Sequence, residues 1–108
     1  MEEITVNIND LEWQESKEYP LGAGVKVLSD GSGITPRVIL LKFPPDWRME
    51  SHTHQYTEQH LILEGEYESR GRIYPEGTFR TIPPGTDHGP FTATKWTVIM
   101  VTWCALHT

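Results

Sequence analysis

The chain has 108 residues, of which 37% are hydrophobic and 22% charged, and this balance is typical of one globular domain. Its formal net charge is −6, from 15 acidic and 9 basic side chains, and the basic residues form no cluster. A chain of this kind is poorly suited to bind a phosphate backbone, so we expect no direct nucleic-acid partner.

Short segments rich in β-branched and aromatic residues alternate with glycine and proline, a pattern typical of many short strands. The first segment is the exception, because Asn9–Lys17 is a short amphipathic stretch and Asp10 could cap a helical turn there. The predicted strands follow at Val25–Leu28, Arg37–Phe43, Gln59–Leu63, Tyr67–Arg70, Thr78–Ile82 and Trp96–Trp103. With no long helix between them, these strands predict an all-β sandwich or barrel.

Cys104 is the only cysteine, which excludes an intramolecular disulfide and a zinc site built from several cysteines. Residues 1–10 lack the basic start and apolar run of a signal peptide. No segment approaches the roughly 20 apolar residues that cross a bilayer. We therefore expect a cytoplasmic protein with no membrane partner, folded as a single domain over residues 1–108.

The most informative stretch is His52-Thr-His54-Gln-Tyr-Thr-Glu58-Gln-His60. Side chains two residues apart on an extended backbone point to the same side, so the imidazoles of His52 and His54 would lie together. Glu58 adds a carboxylate, and His88 lies in a loop rich in proline and glycine that could return to the same place. Three imidazoles and one carboxylate suit one divalent transition metal, such as iron, zinc, manganese or nickel, with coordination positions left open.

These residues resemble the two sequence motifs of the cupin superfamily. His52-x-His54-xxx-Glu58-xxxxxx-Gly65 is similar to the first motif, and Gly77-xxxxx-Pro83-x-Gly85-xx-His88 is similar to the second. The motifs cover residues 46–92, and the usual first glycine and last asparagine are replaced by Asp46 and Thr92. The resemblance implies a single cupin barrel, that is, a jelly-roll or double-stranded β-helix, with His52, His54, Glu58 and His88 as metal ligands.

A closer resemblance is to the ChrR-like branch of small cupins. It is carried by three stretches, Leu63-Glu-Gly-Glu-Tyr67, Tyr74-Pro-Glu-Gly-Thr-Phe79 and Pro83-Pro-Gly-Thr-Asp-His-Gly-Pro-Phe91. That branch includes the C-terminal domain of a zinc-binding anti-sigma factor. It also includes stand-alone cupins similar to iron-dependent dioxygenases that cleave carbon–carbon bonds in diketone-like substrates.

The resemblance leaves three functions open. The first is a metal-dependent, Fe(II)-type dioxygenase that acts on a small oxygenated substrate. The second is a non-catalytic metal- or ligand-binding sensor of the anti-sigma type, although the helical zinc domain of that factor has no counterpart here. In the third, the metal only stiffens the barrel.

Two side chains near the ligands are candidates for proton transfer. His60 shares the face of Glu58 on a regular strand, and it could be a group behind the ligands, an acid or base, an alternative ligand or a buried histidine bonded to a neighbour. Tyr56 is the other candidate. Trp47, Phe91 and Arg80 could line a pocket or pack elsewhere, and Arg80 could face a substrate or form a surface ion pair.

We also expect a homodimer. The apolar face with Leu61 and Leu63, together with the strand Trp96–Trp103, offers more apolar surface than one thin core needs. The other expected partner is a small-molecule ligand or substrate.

Overall fold

The computed structural model describes residues 2–104, and nearly all of its regular structure is β-strand. In this range the only helical segment is a 3₁₀ turn at Ile8–Asp10, and no helix has the length and apolar character to cross a bilayer. The strands in chain order are β1 (Gln14–Glu15), β2 (Gly24–Asp30), β3 (Arg37–Phe43), β4 (Arg48–Met49), β5 (Thr57–Glu64), β6 (Glu66–Ser69), β7 (Arg72–Pro75), β8 (Phe79–Ile82), β9 (Phe91–Ala93) and β10 (Thr97–Cys104).

The strands form two antiparallel sheets that face each other. The larger sheet has the order β1-β2-β3-β10-β5-β8, and the smaller has the order β4-β9-β6-β7. Strands that follow each other in the chain often belong to different sheets, as β5 and β6 do across the single residue Gly65. Such crossing between sheets is characteristic of a jelly roll, and it confirms the predicted all-β barrel.

The hydrophobic core lies between the two sheets and follows the alternation of each strand. Ile39, Leu41 and Phe43 of β3 are buried, as are Ile99 and Val101 of β10. These two strands pair along their whole length, with Leu41 opposite Ile99, so their inward side chains form one continuous layer. The smaller sheet closes the core from the other side with Tyr67, Phe91 and Ala93.

Strand β5 carries polar side chains into the same interior. Its buried residues are Glu58, His60 and Ile62, whereas Gln59 and Leu61 between them are half-buried and point outward. The inward row thus changes along the strand from a carboxylate and an imidazole to an aliphatic side chain. This change places the polar site at one end of the barrel and leaves the other end apolar.

Each of the six strands predicted from the sequence overlaps an observed strand, but β1, β4, β7 and β9 were not predicted. These four strands have only two to four residues, and three of them contain charged side chains. Segments of this length carry too few alternations to be recognised, and their pairing depends on neighbours far away in the sequence.

The helical turn predicted over Asn9–Lys17, with Asp10 as its cap, is wrong. Asn7 caps a 3₁₀ turn that already ends at Asp10, and Gln14–Glu15 then pairs with β2. The side chain of Trp13 packs on the backbone at Gly24, where an added Cβ would lie 3.4 Å from the Cβ of Trp13. Contact with β2 therefore extends a segment whose own helical preference is weak.

Candidate metal centre

Backbone pairing brings the two parts of the predicted site together. The backbones of His52 and His88 exchange two hydrogen bonds of 2.9 Å, and the Gly85 amide donates to the His54 carbonyl at 2.9 Å. The loop before β5 and the loop before β9 therefore run side by side. This pairing places three histidines from two distant segments at the same end of the barrel.

The four predicted ligands point toward a common centre. One ligand atom from each of His52, His54, Glu58 and His88 lies within 4.8 Å of the others. The ring centroids of His52 and His88 are 4.2 Å apart, and those of His52 and His54 are 4.8 Å apart. Glu58 and His88 are only 3% and 4% exposed, whereas His52 and His54 are half-buried. The cluster thus lies inside the barrel and is reached from one side.

Hydrogen bonds to backbone carbonyls define the tautomers of two of these rings. Nδ1 of His52 lies 3.0 Å from the Glu50 carbonyl, and Nδ1 of His88 lies 3.3 Å from the Thr86 carbonyl. Because a carbonyl only accepts, both Nδ1 atoms carry the proton and both Nε2 atoms keep a lone pair. This is the arrangement of a metal-binding histidine held by a group behind it.

His88 shows that the site suits a cation. Its Nε2 atom is buried and has no hydrogen-bond partner within residues 2–104, although it lies 2.9 Å from Oε2 of Glu58. The two atoms are close but lack the alignment of a hydrogen bond. A buried lone pair beside a carboxylate oxygen is costly unless both face a positive charge. The donor set therefore fits a divalent transition metal.

The negative charge of Glu58 dominates the electrostatics of the cluster. Burial by itself raises the pKa of Glu58, but the hydrogen bond from His60 and the nearby His88 outweigh burial and hold this pKa well below its usual range. Burial lowers the pKa of His54 and of His60, although Glu58 opposes it in both. At neutral pH Glu58 is therefore an ionised carboxylate and the rings of His54 and His60 are neutral, and an ionised carboxylate and a neutral imidazole are the forms that bind a metal.

The two predicted proton-transfer residues have different surroundings. Both ring nitrogens of His60 are occupied, with Nε2 2.8 Å from Oε2 of Glu58 and Nδ1 2.8 Å from the hydroxyl of Tyr67. This is the buried histidine bonded to its neighbours that the sequence left open. Tyr56 is 46% exposed and lines the entrance to the cavity described below.

Of the remaining candidates, Trp47 and Phe91 belong to the hydrophobic core, and Arg80 belongs to a hydrogen-bonded group of side chains. Trp47 and Phe91 are buried core residues that also line the cavity. Arg80 takes neither of its predicted roles. It donates to the Tyr67 hydroxyl at 3.0 Å and lies 4.2 Å from the ring centroid of Tyr74, because its strand turns it inward next to β6 and β7.

A cavity of about 610 Å³ extends from the histidine cluster through the barrel. Most of its wall is apolar, and it includes Leu41, Phe43, Trp47, Met49, Ile99 and Val101. At the solvent edge, Arg37 donates two hydrogen bonds of 3.0 and 2.7 Å to Glu18, and its guanidinium stacks 4.7 Å from the ring centroid of Trp103. A cavity of this volume can hold a small organic molecule next to the cluster.

Sequence reasoning missed two tyrosines at this site. Tyr67 belongs to a predicted strand, and the tight turn at Gly65, which leads from β5 in the larger sheet to β6 in the smaller one, places it beside His60. This short turn between two predicted strands was the signal that could have found it. Tyr19 also lines the cavity, from the segment that directly follows the predicted helical turn Asn9–Lys17. It had no comparable signal, because only the tertiary fold places this segment over the barrel.

The replacement at Asp46 leaves its turn intact. Asp46 has a φ of 67°, in the left-handed region, which the glycine usual in the first motif adopts without steric strain. Aspartate is among the few other residues that adopt this conformation readily. Its amide donates to the Ala93 carbonyl at 2.9 Å, which connects the start of the first motif to the end of the second.

Two antiparallel sheets that enclose a histidine and glutamate cluster at one end of a jelly roll define this protein as a cupin. Residues 1–106 match the ChrR cupin-like domain family, and the chain belongs to that family. No curated protein sequence matches the chain.

Solved structures support the fold. An RmlC-like cupin from Ralstonia eutropha superposes with a TM-score of 0.83 at 16% identity, covering 97% of this chain and 70% of that one. An acetylacetone dioxygenase from Acinetobacter johnsonii gives 0.76 at 14% identity, covering 96% and 74%. The Rhodobacter sphaeroides complex of SigE with the anti-sigma ChrR gives 0.72 at 17% identity, covering 90% and 51%. At these identities the likeness shows the fold alone.

Proposed function

We propose that this cupin is a metal-dependent enzyme of the Fe(II) dioxygenase type, acting on a small oxygenated, diketone-like substrate. One observation carries the proposal: four candidate ligand atoms lie within 4.8 Å of one another beside a largely apolar cavity of about 610 Å³. A metal that only stiffened the barrel would need no adjoining space, whereas an enzyme needs room for substrate next to the ion.

The residues of the site have distinct roles in this proposal. His52, His54, Glu58 and His88 would hold the ion, which supplies a Lewis acid for two neighbouring substrate oxygens and redox chemistry toward O₂. The apolar wall excludes water and packs against the hydrocarbon part of the substrate. Tyr56 is the remaining candidate for proton transfer, because both nitrogens of His60 are already bonded within the protein.

The atoms and electrons of the proposed reaction balance with O₂ as the only co-substrate. Cleavage of a β-diketone by one O₂ places both oxygen atoms in the products, a carboxylic acid and a dicarbonyl compound, and needs no external reductant. The proposal therefore predicts consumption of one O₂ per substrate cleaved.

The experiment compares metal-free protein with protein reloaded with Fe(II) or Zn(II), using an oxygen electrode and a panel of small β-diketones. We expect O₂ uptake with Fe(II) only. Glu58→Gln should lower uptake by about 100-fold or more, because it removes a ligand charge. Glu64→Gln is the matched control, since this exposed glutamate lies on the same strand, and it should retain wild-type uptake.

The second candidate function is a non-catalytic regulator that senses a metal or a small ligand. Membership in the ChrR cupin-like family and the likeness to the ChrR–SigE structure favour it. An iron-loaded protein that binds its ion yet consumes no O₂ with any diketone would contradict the enzyme and favour the regulator. A protein that binds no divalent ion would contradict both.

A further inference from the structure

A chain of buried hydrogen bonds extends from Glu58 away from the histidine cluster. Oε2 of Glu58 lies 2.8 Å from Nε2 of His60, and Nδ1 of His60 lies 2.8 Å from the hydroxyl of Tyr67. The same hydroxyl lies 3.0 Å from a guanidinium nitrogen of Arg80. Glu58, His60 and Tyr67 are each at most 3% exposed, so water does not compete for these bonds.

The chemistry of its two ends defines the direction of every bond in this chain. Arginine can only donate, so Arg80 donates to the oxygen of Tyr67. An ionised carboxylate can only accept, so Nε2–H of His60 donates to Glu58. The neutral ring of His60 then has a lone pair on Nδ1, and this lone pair accepts the hydroxyl proton of Tyr67. Each polar atom along the chain has a partner, and no alternative direction satisfies all of them.

Packing holds the far end of the chain in place. The guanidinium of Arg80 stacks on Tyr74, with 4.2 Å to the ring centroid, and Tyr74 packs on Tyr67 at a centroid distance of 5.6 Å. Phe91 packs against the two middle members of the chain, with its ring 5.0 Å from that of Tyr67 and 5.7 Å from that of His60. The side chains behind Glu58 are therefore constrained from two sheets at once.

We propose that His60, Tyr67 and Arg80 are positioning residues that orient the Glu58 carboxylate toward the metal. The inference rests on the proposed metal site, and it replaces the role of His60 as an acid or base with one exerted through Glu58. Glutamate has three rotatable bonds, and a buried bond to a rigid imidazole on the same strand restricts them before an ion arrives. Tyr67 and Arg80 in turn select the tautomer of His60 that can donate to the carboxylate.

The first test measures the affinity of the metal-free protein for Co(II) and the visible absorption spectrum of the Co(II)-bound protein. His60→Leu should weaken Co(II) binding by about 10- to 100-fold, the range usual for a group behind a ligand, and should change the spectrum. His60→Gln keeps an N–H that can donate to Glu58 and should bind within several-fold of wild type. Tyr67→Phe removes only a hydroxyl and should produce a smaller loss in the same direction.

Tyr74→Phe is the matched control, because the ring of Tyr74 packs on Tyr67 but its hydroxyl takes no part in the hydrogen bonds that connect Glu58 to Arg80. It should leave both the affinity and the spectrum unchanged. Circular dichroism on each variant verifies folding. A merely structural role for His60 would lower stability without changing the Co(II) spectrum of the folded protein.

The second test needs no metal. Nitrogen-15 NMR of the imidazole rings at neutral pH should show the Nε2–H tautomer for His60 and the Nδ1–H tautomer for His52 and His88. An Nδ1–H tautomer at His60 would overturn the proposed chain. Co(II) binding by His60→Leu with the affinity of the wild type would overturn the positioning role, but it would not contradict the proposed metal site. A wild-type protein that binds no Co(II), Fe(II) or Zn(II) would instead overturn the proposed function, and the positioning role with it.

Discussion

Glu58 is a buried carboxylate whose polar neighbours are neutral imidazoles. Its oxygens lie 3.2 Å from Nε2 of His54 and 2.8 Å from Nε2 of His60, and none of the ion pairs among residues 2–104 joins it to lysine or arginine. A buried charge without a fixed opposite charge is costly. Hydrogen bonding offsets part of that cost, and the proposed divalent cation would offset the rest.

Tyr67 supports a prediction about alkaline pH. Burial raises the pKa of Tyr67 to about 12, although Arg80 opposes it. Because this folded-state pKa exceeds the unfolded value near 10, the contribution of Tyr67 to stability is complete below pH 10 and is lost as the pH rises toward 12. Between pH 9 and 11 the free energy of unfolding should fall by about 1 kcal/mol more in wild type than in Tyr67→Phe.

Urea denaturation at the two pH values measures this difference. Burial also raises the pKa of Tyr19, but Tyr19 is present in both proteins, so its contribution cancels. Tyr74→Phe should follow the wild type. Parallel losses of stability in wild type and Tyr67→Phe would refute the prediction.

The turn between β5 and β6 determines how the site is assembled from elements. Gly65 alone connects the two strands, with a φ of 77°, and its Cα faces the backbone at the start of β10. An added Cβ would clash with the carbonyl oxygen of Trp96 and would lie 2.6 Å from Oγ1 of Thr97. This tight turn allows His60 and Tyr67, seven residues apart, to meet inside the barrel.

Gly65→Ala should therefore lower the free energy of unfolding by about 3 kcal/mol or more, because backbone strain and a steric clash act together. Gly71→Ala is the matched control. Gly71 has a φ of 79°, and an added Cβ would meet no atom within 4 Å, so this substitution should cost only about 1 kcal/mol of strain. Urea denaturation measures both losses of stability. Equal losses in Gly65→Ala and Gly71→Ala would show that backbone strain alone explains the effect and that the steric clash contributes nothing.

At the scale of the whole molecule, the proposed ion connects both sheets. Glu58 belongs to the larger sheet, while His52, His54 and His88 come from loops that lead into the two sheets. A ligand that binds only the folded state at 100 times its Kd adds about 2.7 kcal/mol of stability. For a domain of this size, we expect the Tm to rise by about 10 °C or more when the metal is restored.

Thermal unfolding of chelated and Zn(II)-reloaded protein measures the shift, and Zn(II) separates stability from redox chemistry. His88→Ala should lose most of the shift, whereas Glu64→Gln should keep it. A metal-bound protein whose Tm equals that of the chelated protein would contradict this prediction.

The outer face of the larger sheet supports the prediction of a homodimer. The outward residues Met100, Leu61 and Phe79 lie opposite one another in a single row across three strands, and the row continues on β3 with Leu40, which is buried. Phe79 is 56% exposed, and an apolar row of this kind is unusual on a solvated sheet face. Light scattering should give the mass of two chains.

Leu61→Glu should give the mass of one chain, because it places a charge in the centre of the row. Ile73→Glu is the control, since Ile73 is an exposed residue of the smaller sheet and should leave the dimer intact. A wild-type protein with the mass of one chain would rule out this dimer.

The sequence pattern by itself determined the long strands and the all-β class, because the alternation of β3, β5 and β10 places every second side chain inward. The jelly roll and the set of His52, His54, Glu58 and His88 were implied by the resemblance to the two cupin motifs, since only His52 and His54 are close enough in the sequence for spacing alone to bring them together. The role of these four residues as metal ligands stays a prediction, as do the homodimer and the contribution of Tyr56.

Only the tertiary structure decided the course of residues 11–22, the short strands β1, β4, β7 and β9, and the chain of bonds behind Glu58. Arg80 shows why. Its sequence position fits a surface ion pair or a substrate contact, yet its partner is the hydroxyl of Tyr67 on the other sheet. Such contacts depend on how two sheets face each other, and that arrangement results from the packing of the whole core, which no short stretch of residues encodes.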